Sequence, residues 1–335
     1  MSDISATAQS LLAEGKGILA ADESTSTANK RFDDYDIEHT PENRRQYRQL
    51  LFTAPEIEQY LSGAILYEET ARQVADEGTP LPEVLADRGI IPGIKVDRSL
   101  KPLPNFPGEH VSQGLDNLDE RLDEYAEMGM RFSKWRSVIA IGDGLPTDEC
   151  ITANAHVLAR YAGIVQSKHM VPIVEPEVLL DGDHSLEDSA RVLERTLNTV
   201  FQQLAMYRVD LGGVILKTSM ALPGSGSSED VDHTQVAGTT MDVMEKCLPA
   251  ELAGIVFLSG GQTPEDAIQH LQEIAVRGPY TWPVTFSYAR ALQEPVLKVW
   301  AGDPENMISA QDAFLEQVKK ASAAQMGAYA ANSAE

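Results

Sequence analysis

Eight short apolar runs recur along the chain, each bounded by glycine, proline or polar residues. They are too short for independent helices, and several are rich in valine and isoleucine. Runs of this length and composition are typical of strands that are buried on both faces in a parallel sheet. The pattern predicts eight buried strands, within residues 17–22, 63–68, 90–97, 131–141, 170–178, 212–220, 254–261 and 283–290.

Stretches with helical spacing separate these runs. Residues 115–129 and 185–208 place apolar side chains at helical intervals. Residues 263–276 predict another helix, because Thr263 suits an N-cap and Pro264 suits the first helical position. Eight strands that alternate with helices predict a (β/α)8 TIM barrel with its active site at the carboxyl ends of the strands. A doubly wound sheet is the alternative, but no GxGxxG motif follows the first strand.

The chain shows no low-complexity linker or change of composition that would mark a domain boundary. We therefore expect one domain over residues 1–335. Residues 321–335 are rich in alanine and serine, and a flexible C-terminal tail is expected over residues 325–335.

Lys217 ends the run "GGVILKTSM" at residues 212–220. A single lysine at a strand end usually extends its ammonium group to solvent. Other strands also end in charged or hydroxyl side chains, however, and in a parallel barrel these ends surround one opening. Besides Tyr67 and Glu68 after the second run, the converging residues are Asp22, Lys95, Lys134, Arg136, Glu175, Glu177, Lys217, Ser259, Ser287 and Arg290.

These residue types suit carbon–carbon chemistry through an amine. A lysine amine is a nucleophile only when neutral, and desolvation or a nearby cation such as Lys134 favours that form. Attack by Lys217 on a ketone gives a Schiff base, which withdraws electrons from the neighbouring carbon. Glu175, with a raised pKa, is expected to shuttle the protons, and Asp22 to take a proton from a substrate hydroxyl.

Two regions of the predicted barrel opening suit phosphate groups. Loops after the seventh and eighth strands of such barrels often bind phosphate through backbone N–H groups and a helix N-terminus. Here those loops contain "LSGGQT" (258–263) and "FSYARA" (286–291). The stretch "DESTST" (22–27) adds hydroxyl groups near the first strand, with Arg31 and Lys95 as further cations. Two anion sites around an amine predict a sugar that is phosphorylated at both ends.

Composition excludes several other functions. The net charge is −24, from 27 basic and 51 acidic side chains, which argues against binding to nucleic acid or to an anionic membrane. No apolar run approaches the length of a membrane span, and no secretory signal is recognisable. Two cysteines without a CxxC pattern fit a reducing cytoplasm. The seven histidines are scattered, so neither a metal nor another cofactor is expected.

Seven stretches of the chain, in order, resemble class I (Schiff-base) fructose-1,6-bisphosphate aldolase. They are "GKGILAADESTSTANKRF", "GIKVDRS", "FSKWRSVI", "VPIVEPEVLLDGDH", "ILKTSM", "FLSGGQTPEDA" and "FSYARALQ". The resemblance implies reversible cleavage of fructose 1,6-bisphosphate to dihydroxyacetone phosphate and glyceraldehyde 3-phosphate, in glycolysis or gluconeogenesis. It also implies a homotetramer.

The resemblance assigns roles to individual residues. Lys217 is implied to form the Schiff base, Glu175 to serve as its acid/base with help from Lys134, and Asp22 to deprotonate the C4 hydroxyl. The C1 phosphate would be held by Ser259, Gly260, Gly261, Ser287 and Arg290. The C6-phosphate side would contain Ser24, Thr27, Arg31 and Lys95, while Arg136 and Glu177 would be an ion pair that tunes the lysines.

One departure concerns the C-terminus. Members from animals end in a tyrosine that closes over the site, whereas here the sequence ends at Glu335 and the tail tyrosine is Tyr329. Protonation of the enamine is therefore expected to use Glu175 or a water molecule.

Two other functions fit parts of the same pattern. A metal-free phosphosugar isomerase also needs a carboxylate base and a phosphate site, but it has no use for a desolvated set of lysines. An inactive acidic barrel that serves as a scaffold is the non-enzymatic alternative. The presence of Lys217, Glu175 and Asp22 together favours the aldolase over both.

Overall fold

A computed structural model describes residues 3–330. Its centre is a closed barrel of eight parallel strands, which are β1 (Gly17–Ala21), β2 (Leu61–Leu66), β3 (Ile91–Lys95), β6 (Phe132–Ile139), β7 (Val171–Val178), β8 (Ile215–Thr218), β9 (Gly254–Phe257) and β10 (Val284–Tyr288). They are neighbours around the barrel in this order, and β10 pairs back to β1. Between β3 and β6, β4 (Leu100–Pro102) and β5 (His110–Ser112) form a separate antiparallel hairpin.

Helices connect the strands and surround the barrel. They are α1 (Asp3–Leu11), α2 (Thr25–Asp33), α3 (Pro41–Thr53), α4 (Glu68–Ala71), α5 (Leu81–Ala86), α6 (Leu118–Glu127), α7 (Asp148–Ser167), α8 (Leu186–Met206), α9 (His233–Cys247), α10 (Pro264–Arg277), α11 (Arg290–Trp300) and α12 (Met307–Gln325). Short 3-10 helices span Ile57–Gln59, Leu211–Gly213 and Pro304–Asn306.

The predicted (β/α)8 barrel is confirmed. Each of the eight apolar runs contains or overlaps one barrel strand, and the second strand begins two residues earlier than expected, at Leu61. The three predicted helices correspond to α6, α8 and α10. Thr263 caps α10 as expected, because its side chain accepts a hydrogen bond from the backbone N–H of Asp266.

Side chains that point into the barrel recur every second residue, and their character changes along the strands. On β8 the apolar Ile215 is followed two residues later by Lys217, and on β7 Ile173 is followed by Glu175. The apolar inward residues form a buried cluster in the lower barrel that includes Ile18, Ile173 and Ile215. The charged residues thus lie above a dry apolar floor, at the carboxyl ends of the strands.

Helix α1 closes the opposite end of the barrel. Leu11 and the adjoining Leu12 belong to the same buried cluster as the inward strand residues. They approach the backbone so closely that a Cβ on Gly63 would lie 2.6 Å from Leu11 and one on Gly254 would lie 2.5 Å from Leu12. Small residues in the strands therefore make room for the helix that seals the floor.

The chain after α12 turns back along α10. The backbone N–H of Tyr329 donates to Gln272 at 2.9 Å, and its hydroxyl donates to Glu265 at 2.9 Å. The predicted flexible tail covers residues 325–335, and its last five residues lie outside the described range. Of the helices described, none has the length and apolar character to cross a bilayer.

Close packing at Gly93 yields a stability prediction. A Cβ at Gly93 would lie 2.3 Å from the ring of buried Phe132 on the next strand. We expect Gly93→Ala to lower the free energy of unfolding by about 1–3 kcal/mol, because the ring must move within a packed barrel. Urea unfolding measures this difference.

Gly163 in α7 provides the matched control, since a Cβ there would have nothing within 4 Å apart from its chain neighbours and the backbone of its own helix. Gly163→Ala should raise the free energy of unfolding by about 0.5–1 kcal/mol, because alanine favours a helix interior over glycine. Equal effects from both substitutions would contradict the packing argument.

Candidate active site

A cavity of about 1070 Å³ opens at the carboxyl ends of the barrel strands. Every site residue predicted from the sequence lines it except Gly261, where an added Cβ would lie 3.2 Å from the guanidinium of Arg290. The predicted residues on its wall are Asp22, Ser24, Thr27, Arg31, Lys95, Lys134, Arg136, Glu175, Glu177, Lys217, Ser259, Gly260, Ser287 and Arg290.

The floor of this cavity holds a buried chain of alternating charges. Lys134 Nζ lies 2.7 Å from Asp22 Oδ2 and 2.8 Å from Glu175 Oε2. The other carboxylate oxygen of Glu175 lies 3.1 Å from Lys217 Nζ. Each of the four side chains is at most 10% exposed, so these attractions operate with little screening by water. We term these four residues the charge chain.

The ionisation of the charge chain differs from one expectation. Burial by itself would raise the pKa of Glu175, but Lys134 and Lys217 against its two oxygens lower it below the ordinary value. The raised pKa expected for Glu175 from the sequence is therefore wrong. Asp22 behaves in the same way: burial would raise its pKa, but Lys134 and Lys217 together outweigh burial and lower it. Burial would lower the pKa of Lys134, but Asp22 and Glu175 raise it.

One side of the cavity offers neutral donors and a helix N-terminus. Gly260 and Gly261 take positive φ angles of 56° and 99°, a backbone form that glycine adopts without strain. Ser287 is buried, and its hydroxyl has no hydrogen-bond partner among residues 3–330. Arg290 is the first residue of α11, so the free N–H groups of that helix lie beside it. This arrangement suits a phosphate group.

The other side contains the N-terminus of α2. Ser24 is the N-cap of this helix, and its hydroxyl accepts from the backbone N–H of Thr27 at 3.3 Å. The hydroxyl oxygens of Ser24 and Thr27 lie 3.0 Å apart, so the two hydroxyl groups predicted for this region are close together. Ser26, which the sequence analysis did not select, also lines this wall.

Acidic partners accompany the cations on this side. Arg31 pairs with Glu23, Lys95 Nζ lies 2.6 Å from Asp97 Oδ1, and Arg136 pairs with Glu177. The Arg136–Glu177 pair was predicted, but Glu23 and Asp97 were missed. A weak signal existed for both, because Glu23 directly follows the predicted strand 17–22 and Asp97 is the last residue of the predicted strand 90–97. Within residues 3–330, no group of three or more histidine, cysteine or acidic side chains is arranged to hold a metal ion.

A barrel with a buried lysine–carboxylate chain between two anion-binding regions has the architecture of a Schiff-base aldolase. The family model "Fructose-bisphosphate aldolase class-I" matches residues 3–335. The chain belongs to the class I fructose-bisphosphate aldolase family.

Individual relatives agree with this membership. The chain is 50% identical to a probable fructose-bisphosphate aldolase class 1 of Xanthomonas campestris, over 96% of each chain. It is 46% identical to fructose-bisphosphate aldolase 1 of Toxoplasma gondii, over 98% of this chain and 91% of the relative.

A solved structure of the aldolase from Plasmodium falciparum, in complex with TRAP and a small molecule inhibitor, has a TM-score of 0.97 and 44% identity. That match covers 98% of this chain and 96% of the other. The activity of this chain is accordingly the aldol cleavage of fructose 1,6-bisphosphate by the Schiff-base route of class I. This confirms the aldolase prediction over the isomerase and scaffold alternatives.

The charge chain predicts how stability depends on pH. In the native protein, lowered carboxyl pKa values stabilise the fold above their ordinary values of 3.8 and 4.5, and this contribution is lost as pH falls below them. Lys134→Met leaves Asp22 and Glu175 in one buried site, where like charges raise one carboxyl pKa. The variant should therefore lose stability as pH rises from 5 to 8, a range where the native protein does not.

Urea unfolding across this pH range measures the effect. Lys168→Met is the control. Lys168 pairs with Asp123 at 2.5 Å, but the Asp123 side chain is exposed to water, so removal of this lysine leaves no buried carboxylate without a partner. Parallel pH dependence in the Lys134 variant and the native protein would rule out this account.

Proposed function

We propose that Lys217 is the residue that forms the Schiff base with the C2 ketone of fructose 1,6-bisphosphate. The observation that carries this assignment is its position: a buried amine at the end of β8, 3.1 Å from a buried carboxylate. An amine in such a site is excluded from bulk water, which favours imine formation over hydrolysis.

A single proton links the two groups. Lys217 must be neutral to attack, and Glu175 must carry a proton to expel water from the carbinolamine. Transfer of one proton from the Lys217 ammonium to the Glu175 carboxylate supplies both forms at once. The positive charge of Lys217 is one cause of the lowered pKa of Glu175, and that charge disappears as the proton leaves the lysine, so the transfer itself weakens the opposition to it.

Asp22 is assigned to the cleavage step. It takes the proton of the C4 hydroxyl, the C3–C4 bond breaks, and the bonding electrons move to the iminium nitrogen to give an enamine. Glyceraldehyde 3-phosphate leaves at this point. Protonation of the enamine at C3 and hydrolysis of the imine then release dihydroxyacetone phosphate and restore Lys217. Lys134, between Asp22 and Glu175, stabilises both carboxylates while protons move.

The two phosphates are assigned to the two sides of the cavity. The buried Ser287 hydroxyl, the positive-φ glycines and Arg290 support a C1-phosphate site beside Ser259. The hydroxyls of Ser24 and Thr27, with Arg31 and Lys95, support a C6-phosphate site. Arg136 and Glu177 form an ion pair that also lines this cavity.

Trapping with borohydride tests the role of Lys217. Treatment with dihydroxyacetone phosphate and borohydride in the presence of EDTA should place a reduced adduct on Lys217, detected by peptide mass spectrometry, with activity lost in step. Lys217→Met should lower kcat by more than about a thousandfold, because it removes covalent catalysis. Lys168→Met should be trapped like the native protein, whereas an adduct on another lysine would refute the assignment.

The tail yields a separate expectation about the last proton transfer. The Tyr329 hydroxyl donates to Glu265 on α10, and burial together with this carboxylate raises its pKa to about 12. We assign enamine protonation to Glu175 or water. Tyr329→Phe should leave unchanged the exchange of the C3 protons of dihydroxyacetone phosphate with solvent, measured by NMR. Loss of this exchange would contradict the assignment.

We further propose that the whole chain acts as one catalytic domain in a cytoplasmic homotetramer of glycolysis or gluconeogenesis, without a cofactor. Family membership supports this assembly. Large apolar side chains on the surface, among them Met206 and Ile308 at 73% exposure, are consistent with contacts between subunits.

A further inference from the structure

A second buried chain of charges lies beside the candidate C6-phosphate site. Glu23 accepts from Arg31 through one carboxylate oxygen, and Arg48 Nη2 donates to the other at 2.7 Å. Arg48 belongs to α3, and its side chain is 3% exposed, whereas Arg31 is 19% exposed and lines the cavity. Arg48 therefore lies behind Glu23 and acts on the cavity only through it.

Arg48 is held firmly in this position. Its Nη1 donates to the side-chain oxygen of Gln293 at 3.3 Å, and Gln293 donates in turn to the carbonyl of Ala20 on β1 at 2.6 Å. The guanidinium also lies 5.5 Å from the ring centre of Tyr47. The position of Arg48 is thus set by α3, α11 and β1 together.

The charges explain why a second arginine is needed. With Arg31 alone, a buried Glu23 would fully neutralise the cation that faces the substrate, and a phosphate would gain little from it. Glu23 together with two arginines carries a net charge of +1. When Arg31 turns to a phosphate, Arg48 still satisfies Glu23, so no buried carboxylate is left unpaired.

We propose that Arg48 is a positioning residue that determines specificity for substrates with a second phosphate. It neutralises Glu23 and thereby leaves the charge of Arg31 available to that phosphate. The proposal rests on the proposed placement of the C6 phosphate beside Arg31. The structure thus assigns discrimination between bisphosphate and monophosphate substrates partly to a residue that does not touch the substrate.

Fructose 1-phosphate is the internal control, because it lacks the second phosphate but uses the same chemistry. Arg48→Met should raise KM for fructose 1,6-bisphosphate about tenfold, the equivalent of one charge-assisted contact. Its kcat for that substrate, and kcat/KM for fructose 1-phosphate, should stay near the native values. Equal losses on both substrates would show a merely structural role and overturn the proposal.

The double variant Glu23→Gln with Arg48→Met removes both buried charges, so the positive charge of Arg31 is again not neutralised. It should restore KM for the bisphosphate to near the native value, and it remains informative where Arg48→Met alone fails to fold. Failure of this rescue in a folded double variant would also overturn the proposal.

Arg44→Met is the matched control. Arg44 is a buried arginine of the same helix, but its carboxylate partner is Glu69, at 2.7 Å. The ratio of kcat/KM values for the two substrates should not change in this variant, and an equal change here would overturn the proposal.

Arg31→Met separates this inference from the function on which it rests. If this variant leaves the substrate ratio unchanged, the placement of the C6 phosphate is wrong and the proposal for Arg48 falls with it. If Arg31→Met changes the ratio and Arg48→Met does not, the placement stands and the role of Arg48 is refuted.

Discussion

The ion contacts of Lys134 with Asp22 and Glu175 organise the entire site. Three charged groups out of water are tolerated only when each is compensated by a neighbour at close range, which requires side chains from β6, β7 and the end of β1 to meet within 3 Å. The closed barrel supplies this accuracy, because register fixes the height of every inward side chain.

The same alternation of side chains gives the barrel its two layers. Residues two apart on one strand share the interior, so Ile215 and Lys217 differ in height but not in direction. Apolar side chains fill the lower layer and charged ones the upper layer. The lower layer excludes water from beneath the lysines, and the upper layer is open to a substrate. Stability and chemistry are therefore divided between successive inward positions of the same strands.

Sequence reasoning located residues of the cavity wall where a charged side chain ends or interrupts an apolar run. Asp22, Lys95, Glu175 and Lys217 were found because each ends or interrupts a buried strand, and a barrel brings such ends together. It failed for Asp97 and Glu23, which lie just beyond the strands, where the alternation of side chains no longer sets direction. Arg48 gave no local signal, because its contact with Glu23 joins residues 25 positions apart. The wrong direction for the pKa of Glu175 came from weighing burial without the distances to two lysines.

Helix α1, which closes the lower end of the barrel, affects how substrate enters and products leave. Because α1 packs against the strands from below, the barrel of residues 3–330 is open to substrate and products at the carboxyl ends of its strands. In the proposed cycle the aldehyde half is free once the carbon–carbon bond breaks, while the ketone half remains tethered to Lys217. Departure is therefore ordered, with the aldehyde first, and in the reverse direction the ketone must arrive before the aldehyde. The covalent tether thus sets the order of departure, and the sealed lower end makes both products leave on the same side of the barrel.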